Sequence, residues 1–293
     1  MTPKELRGGI TYCISLFLTG SLAIIGFQLR QDQLDNSLIK AVKSVDAPTV
    51  QSLLAEGANA NARDAQRPPL EPAGLVARLR AWLQGRPTPV TANAGAPALV
   101  VLLQDTNLLR KVHLRKSLPV YDSIACALVE HGANINVRCR HVDPLEEVEG
   151  VDLGVHFSEA TPLHIAIMYR LKPTVNLLLS HGADVSVRNG VGRTPLSYAD
   201  VDMAVLLLQY GADVNAIGDG ESRLARAVTC CHLELVKVLI RYGANVNIPD
   251  GDGHSMLYRA EHCYSLERPE LVKLLRKHGA RLMRKEIEAG AKR

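Results

Sequence analysis

Large rings are scarce in this chain, and so are the short motifs that announce chemistry. Three Phe, one Trp and eight Tyr make up 4% of 293 residues. A core built around bulky aromatics is therefore excluded, and small and branched aliphatics must fill it from the 47% of residues that are apolar. Six cysteines occur (Cys13, Cys126, Cys139, Cys230, Cys231 and Cys263), but no two form a C-x-x-C pair, which rules out a zinc ribbon or a dithiol redox motif of that kind. Net charge is only +4, and no Lys/Arg block is interleaved with aromatics, so nucleic acid is not an expected partner. Neither a Gly-rich phosphate loop nor a G-x-S-x-G or H-E-x-x-H motif is present. The expectation is therefore no catalysis, no cofactor and no small-molecule substrate.

Charge is also missing from one stretch near the start: nothing between Arg7 and Arg30 ionises. Residues 8–29 include Ile10, Ile14, Leu16, Phe17, Leu18, Leu22, Ile24, Ile25 and Phe27. A bilayer core of about 30 Å takes roughly 20 helical residues. The stretch is read as a single transmembrane anchor after a short flank, residues 1–7. A cleaved signal peptide would have a shorter apolar region and an A-x-A-like site, neither of which is evident. A buried core helix would need a polar face. Lys4 and Arg7 before the span do not clearly outweigh Arg30, Lys40 and Lys43 after it. The very short flank favours leaving it in the cytoplasm, which places the rest of the chain outside, in the periplasm if the cell is bacterial.

What the chain does have is self-similarity. A Gly-Ala-(Asn/Asp)-x-(Asn/Ser) stem recurs from Gly57, Gly132, Gly182, Gly211 and Gly243, with a truncated copy at Gly279-Ala280-Arg281. Each follows an apolar helical run, such as Leu177-Leu178-Leu179 or Val238-Leu239-Ile240. Gly suits the left-handed residue that ends a helix, and Asn or Asp two places on suits a turn. Upstream, Thr161-Pro162-Leu163-His164 and Thr194-Pro195-Leu196-Ser197 read as helix starts, with Thr as cap and Pro at the first helical position. Leu38 to Gly57, Leu163 to Gly182 and Leu224 to Gly243 are all 19 residues apart.

These stems, kept in register, closely resemble the ankyrin repeat. The resemblance runs over 35–282 and implies an all-α solenoid of about six helix-turn-helix units with hairpin loops, followed by a C-terminal tail, 283–293. Three departures stand out. The second unit carries insertions at about 65–96 and 105–120, and a third insertion covers about 140–159. The fourth unit has only 15 residues from Leu196 to Gly211, so its inter-helix turn is expected to be clipped at Asp200-Val201-Asp202. The sixth has 22 from Leu257 to Gly279, an expansion around residues 262–268.

The resemblance further implies a protein partner held by the projecting loops and first-helix faces. Candidate partner-binding residues are Arg188, Asn189, Asp219, Asp250 and Asp252 at hairpin tips, Glu146, Glu147 and Glu149 in the acidic third insertion, and Trp82 in the first, which alternatively docks that insertion on the solenoid. An inhibitor or immunity protein that masks a toxin or enzyme, and an assembly factor of an envelope complex, are the alternative functions. Cys230, Cys231, His262 and Cys263 fall at successive inter-helix turns. Packed helices lie about 8–10 Å apart, too far for a disulfide between the matching Cys230 and Cys263. Structural burial is expected there, with a disulfide allowed by the expanded turn or weak zinc ligation as alternatives. Asp250-Gly251-Asp252-Gly253 faintly resembles a calcium loop but lacks the closing Glu, and is read as a hairpin tip.

Overall fold

The protein is described from a computed structural model covering residues 26–64, 96–103, 118–138, 159–263, 265–284 and 286–287. Helices come in pairs. Helix α1 is described over 26–43, followed by α2 (Ala47–Ala55), α3 (Ala98–Leu103), α4 (Leu118–Glu130), α5 (Pro162–Met168) and α6 (Lys172–Ser180). A 3-10 turn η1 (Pro195–Tyr198) precedes α7 (Val201–Gln209); strands β1 (Ile217–Gly218) and β2 (Glu221–Ser222) then lead to α8 (Arg223–Thr229), α9 (Leu233–Arg241), α10 (Met256–Glu261) and α11 (Arg268–Lys277). The chain divides into two compact bodies, one reaching to residue 102 and including 119–133, the other comprising 103–118 and 134–293.

Residues 8–25 of the expected anchor lie outside the described residues. No helix among those described is long and apolar enough to cross a membrane. Arg30, the charge that ends the apolar run, lies on α1, which continues to residue 43.

The recurring stem does what its chemistry predicts. All six stem glycines have φ between +82° and +98°, a region where a Cβ is penalised. Each following Ala donates its N–H back across the helix end, as from Ala183 to Leu178 O at 2.9 Å and from Ala244 to Leu239 O at 3.0 Å. The first-helix leucines Leu99, Leu163, Leu196 and Leu224 are all buried to within 2%. In the second body, Leu163, Leu196 and Leu224 are joined by Leu178, Leu207, Leu239 and Leu275 from the second helices in the aliphatic core that scarce aromatics demanded.

The Asx residue closes the turn: Asn59, Asn134, Asp184, Asp213 and Asn245 each accept from the backbone N–H two residues on, at 2.8–3.0 Å. The last stem position has a second task. In the first body, Asn61 Nδ2 donates to Gly132 O at 2.9 Å. In the second, Asn136 accepts from Asp184 N–H at 2.9 Å. Asn215 accepts from Asn245 N–H and donates to Gly243 O, while Asn247 accepts from Arg281 N–H and donates to Gly279 O. An amide carries both a donor and an acceptor, so it can bridge two backbone groups of the next repeat. Ser186 cannot; its hydroxyl turns back to Asp184 at 2.6 Å. Ser186→Asn is expected to add the missing rung and stabilise the second body by about 1 kcal/mol, read as a higher urea midpoint.

The fourth unit differs from expectation. What is shortened is the first helix, reduced to η1, rather than the turn alone. Asp200 does not serve as clipped loop but caps α7, accepting from Met203 N–H at 3.0 Å. Fifteen residues leave room for one helix of normal length, and the second helix keeps it because it carries Met203, Ala204 and Leu207 into the core. The sixth turn is expanded as expected, spanning 262–267.

Candidate functional site

Within the second body, three hairpin tips stand in sequence. At the first, Asn189 Oδ1 accepts from the N–H of Val191 (3.2 Å) and Arg193 (2.9 Å), and its N–H donates to Arg193 O. The second is a two-residue hairpin, Ile217 opposite Ser222 and Gly218 opposite Glu221. Its central residues, Asp219 (φ +55°) and Gly220 (φ +73°), are both left-handed, as a type I′ turn requires. At the third, Asp250 Oδ1 accepts from the N–H of Asp252 (3.0 Å) and His254 (2.7 Å), repeating the Asn189 device. The tips lie against one another. A Cβ on Gly218 would fall 2.7 Å from Arg193 Cα, so only glycine permits that approach. Arg188 donates to Gly192 O at 2.8 Å and to Ile217 O, and Arg193 pairs with Asp219 at 2.5 Å.

Each tip is braced by the first-helix residue two places after the buried leucine. Tyr198 OH accepts from Asn189 Nδ2 at 2.8 Å. Arg226 pairs with Glu221 at 3.3 Å. Arg259 pairs with both Asp250 and Asp252. Burial alone would raise the Asp250 carboxyl, but the His254 N–H and the Arg259 guanidinium more than offset it and hold it below the usual range. The same position thus solves one problem with three chemistries, a pairing the sequence reading missed. Its signal was present as a long polar side chain at Leu+2 with a polar partner at the preceding tip.

The candidate residues accordingly separate. Arg188, Asp219 and Asp252 are exposed. Asn189 (5% exposed) and Asp250 (6%) are not: both are buried and hold their tips from within, which corrects the expectation that they face a partner. Each side chain is engaged by two N–H groups of its own turn and by one residue of the following helix. Glu146, Glu147, Glu149 and Trp82 lie outside the described residues. Asp250, Asp252 and His254 are close enough to share a cation, but Arg259 already brings its charge to both carboxylates.

The cysteine expectation needs a larger correction. Cys231 and Cys263 form a disulfide, with Cα atoms 6.4 Å apart. The bond avoids the matching pair and uses the residue after Cys230, at φ +54°, where the backbone turns out of α8. That left-handed position recurs at Val45 and Arg170 in other inter-helix turns. Cys230 is exposed and free rather than buried. Two of the four weak zinc candidates are thereby consumed in the bond, and His262 donates from Nδ1 to Tyr258 O at 2.8 Å.

His164 is fully buried and braces its turn. A carbonyl can only accept, so Nε2–H donates to Arg193 O at 3.1 Å; Nδ1 then accepts from the Thr161 N–H (3.3 Å) and hydroxyl (2.9 Å). The last pair is closed differently. Glu286 accepts from Ser255 N–H (2.8 Å), Ser255 hydroxyl (2.6 Å) and Met283 N–H (2.7 Å), so part of the expected tail packs against the start of α10.

The family model of ankyrin repeats matches residues 141–218 and 200–286. The putative ankyrin repeat protein FPV223 of fowlpox virus is 30% identical over 114 residues, covering 38% of this chain and 80% of that protein. A mouse B-cell lymphoma 3 protein homolog is 37% identical over 135 residues, 41% of this chain and 30% of that protein. Mouse ankyrin repeat and SOCS box protein 16 is 34% identical over 111 residues, 33% and 24% respectively. The chain thus spans less than a third of either mouse relative.

Proposed function

The chain belongs to the ankyrin-repeat family, and on that premise we propose that it is a non-catalytic protein-binding module, tethered to a membrane through residues 8–29. One observation carries the binding reading. Three consecutive hairpin tips are individually braced and mutually stacked, yet leave Arg188, Asp219 and Asp252 turned to solvent. Ordering side chains in advance lowers the entropic cost of docking, and charges of both signs at fixed spacing select a partner by complementarity. Solenoids use such projecting rows as extended binding surfaces.

The tether rests on the uncharged run of 22 residues. The extracytoplasmic side is supported by the Cys231–Cys263 bond, because disulfides form in oxidising compartments.

Crosslinked pull-down with the full chain tests the binding reading. Arg188→Ala, Asp219→Asn and Asp252→Asn together are expected to weaken capture by about 10-fold or more with the far-UV spectrum unchanged. Unaltered capture by the triple variant would place binding elsewhere.

A further inference from the structure

From the third to the fifth, each inter-helix turn in the second body is tied to the following pair, and the ties differ in kind. Between the third and fourth pairs, Arg170 meets Asp200 at 3.6 Å and Lys172 meets Asp202 at 3.1 Å. Between the fourth and fifth, the Arg223 guanidinium donates to Ala199 O from Nε at 3.1 Å and also from Nη2. Between the fifth and sixth, the tie among the described residues is covalent. It falls where the stack needs one most. The turn of the sixth pair is expanded, and Leu266 on that turn is fully exposed. The opposite edge of the same junction is held by Asn247, through Gly279 O at 3.2 Å and Arg281 N–H at 3.1 Å.

We propose that the Cys231–Cys263 bond is a redox-operated clamp on the last helix pair, opened by a dithiol reductant so that the pair swings on its Asn247 edge. Cys231 is half-buried, whereas Cys263 is buried, so the incoming thiolate attacks Cys231 Sγ. The S–S bond breaks, a mixed disulfide forms on Cys231, and Cys263 leaves as a thiolate that takes up a proton. The second thiol of the reductant closes its own disulfide and releases Cys231. Two electrons and two protons pass to the protein. Cys230, exposed and one residue from the bond, is a free third sulfur beside the site. The inference stands apart from the binding reading above, since it concerns the stability of one pair and not what the tips touch.

The test is amide hydrogen exchange on the full chain, oxidised and after reduction with dithiothreitol, with thiol titration alongside. Reduction is expected to speed exchange in α10 and α11 by about 100-fold while leaving α5 and α6 nearly unchanged, because the bond ties the turn between α10 and α11 to the preceding pair. Cys263→Ala should exchange in that way without reductant, and Cys230→Ser should behave like the native protein in both states. Equal exchange before and after reduction overturns the clamp. So does a uniform acceleration across α5–α11, or a titration showing Cys231 and Cys263 free in the purified protein. If Cys263→Ala folds poorly, the reduced native chain still decides the matter.

Discussion

Acidification from pH 6.5 to about 4 is expected to cost roughly 3 kcal/mol of folding stability at one residue, His164. Burial removes water from its ring and lowers its pKa to about 4 from the ordinary 6.5; the hydrogen bond to Arg193 O acts the other way but does not offset it. The folded state therefore keeps the ring neutral in a window where the unfolded chain protonates it. A depressed folded pKa means the contribution is complete above pH 6.5 and is lost as pH falls through about 4. Geometry gives the same sign. Protonation would put a hydrogen on Nδ1, facing the Thr161 N–H that now donates to it. Asp184, Asp250 and Glu286 also lie below the ordinary carboxylate range, so their contributions start to fall at the bottom of this window, where the unfolded chain takes up protons, and continue to fall below it. Urea denaturation at pH steps between 7 and 4 checks this against His164→Gln. The variant is expected to be less stable at pH 7 but nearly flat across the window; an equally steep decline in both would assign the loss elsewhere.

Replacing Glu286 with Ala is expected to destabilise the last helix pair by about 3 kcal/mol, because two backbone N–H groups and a hydroxyl lose their acceptor together. Burial by itself would raise the Glu286 carboxyl, but the three donors from Ser255 and Met283 prevail and keep it ionised. Its negative charge also sits at the N-terminal end of α10, a helix of only six residues with little cohesion of its own. Glu286→Gln should cost less, since its amide oxygen still accepts. Exchange protection at α10 and the thermal midpoint would report the difference. Loss confined to α10 and α11 is the expected outcome, and an unchanged midpoint in Glu286→Ala would show that the contact contributes nothing.

The repeat stem was legible because its physics is local. Gly182 and Gly243 need a positive φ whatever surrounds them, and Asp184 and Asn245 reach the backbone N–H two residues away without help from other repeats. The 19-residue interval between Leu163 and Gly182 reported helices of fixed length in the same way. Asn189 and Asp250 were misjudged for the complementary reason. From sequence both are polar residues at a turn, which usually means exposed, and what buries them is Tyr198 and Arg259 arriving from the next helix. The cysteines show the same limit: repeat spacing aligns Cys230 with Cys263 at a separation too great to bridge, and only the left-handed turn at Cys231 brings the neighbouring sulfur within reach.

Composition and spacing by themselves determined that this chain folds as stacked helix pairs with an aliphatic core, since helix ends and turns are settled by residues a few positions apart. The tertiary structure alone decided which tip residues face outward, that Glu286 closes the last pair, and which sulfurs are joined. Those outcomes depend on side chains 9 to 32 residues apart in the chain meeting in space, and no short-range rule encodes that meeting.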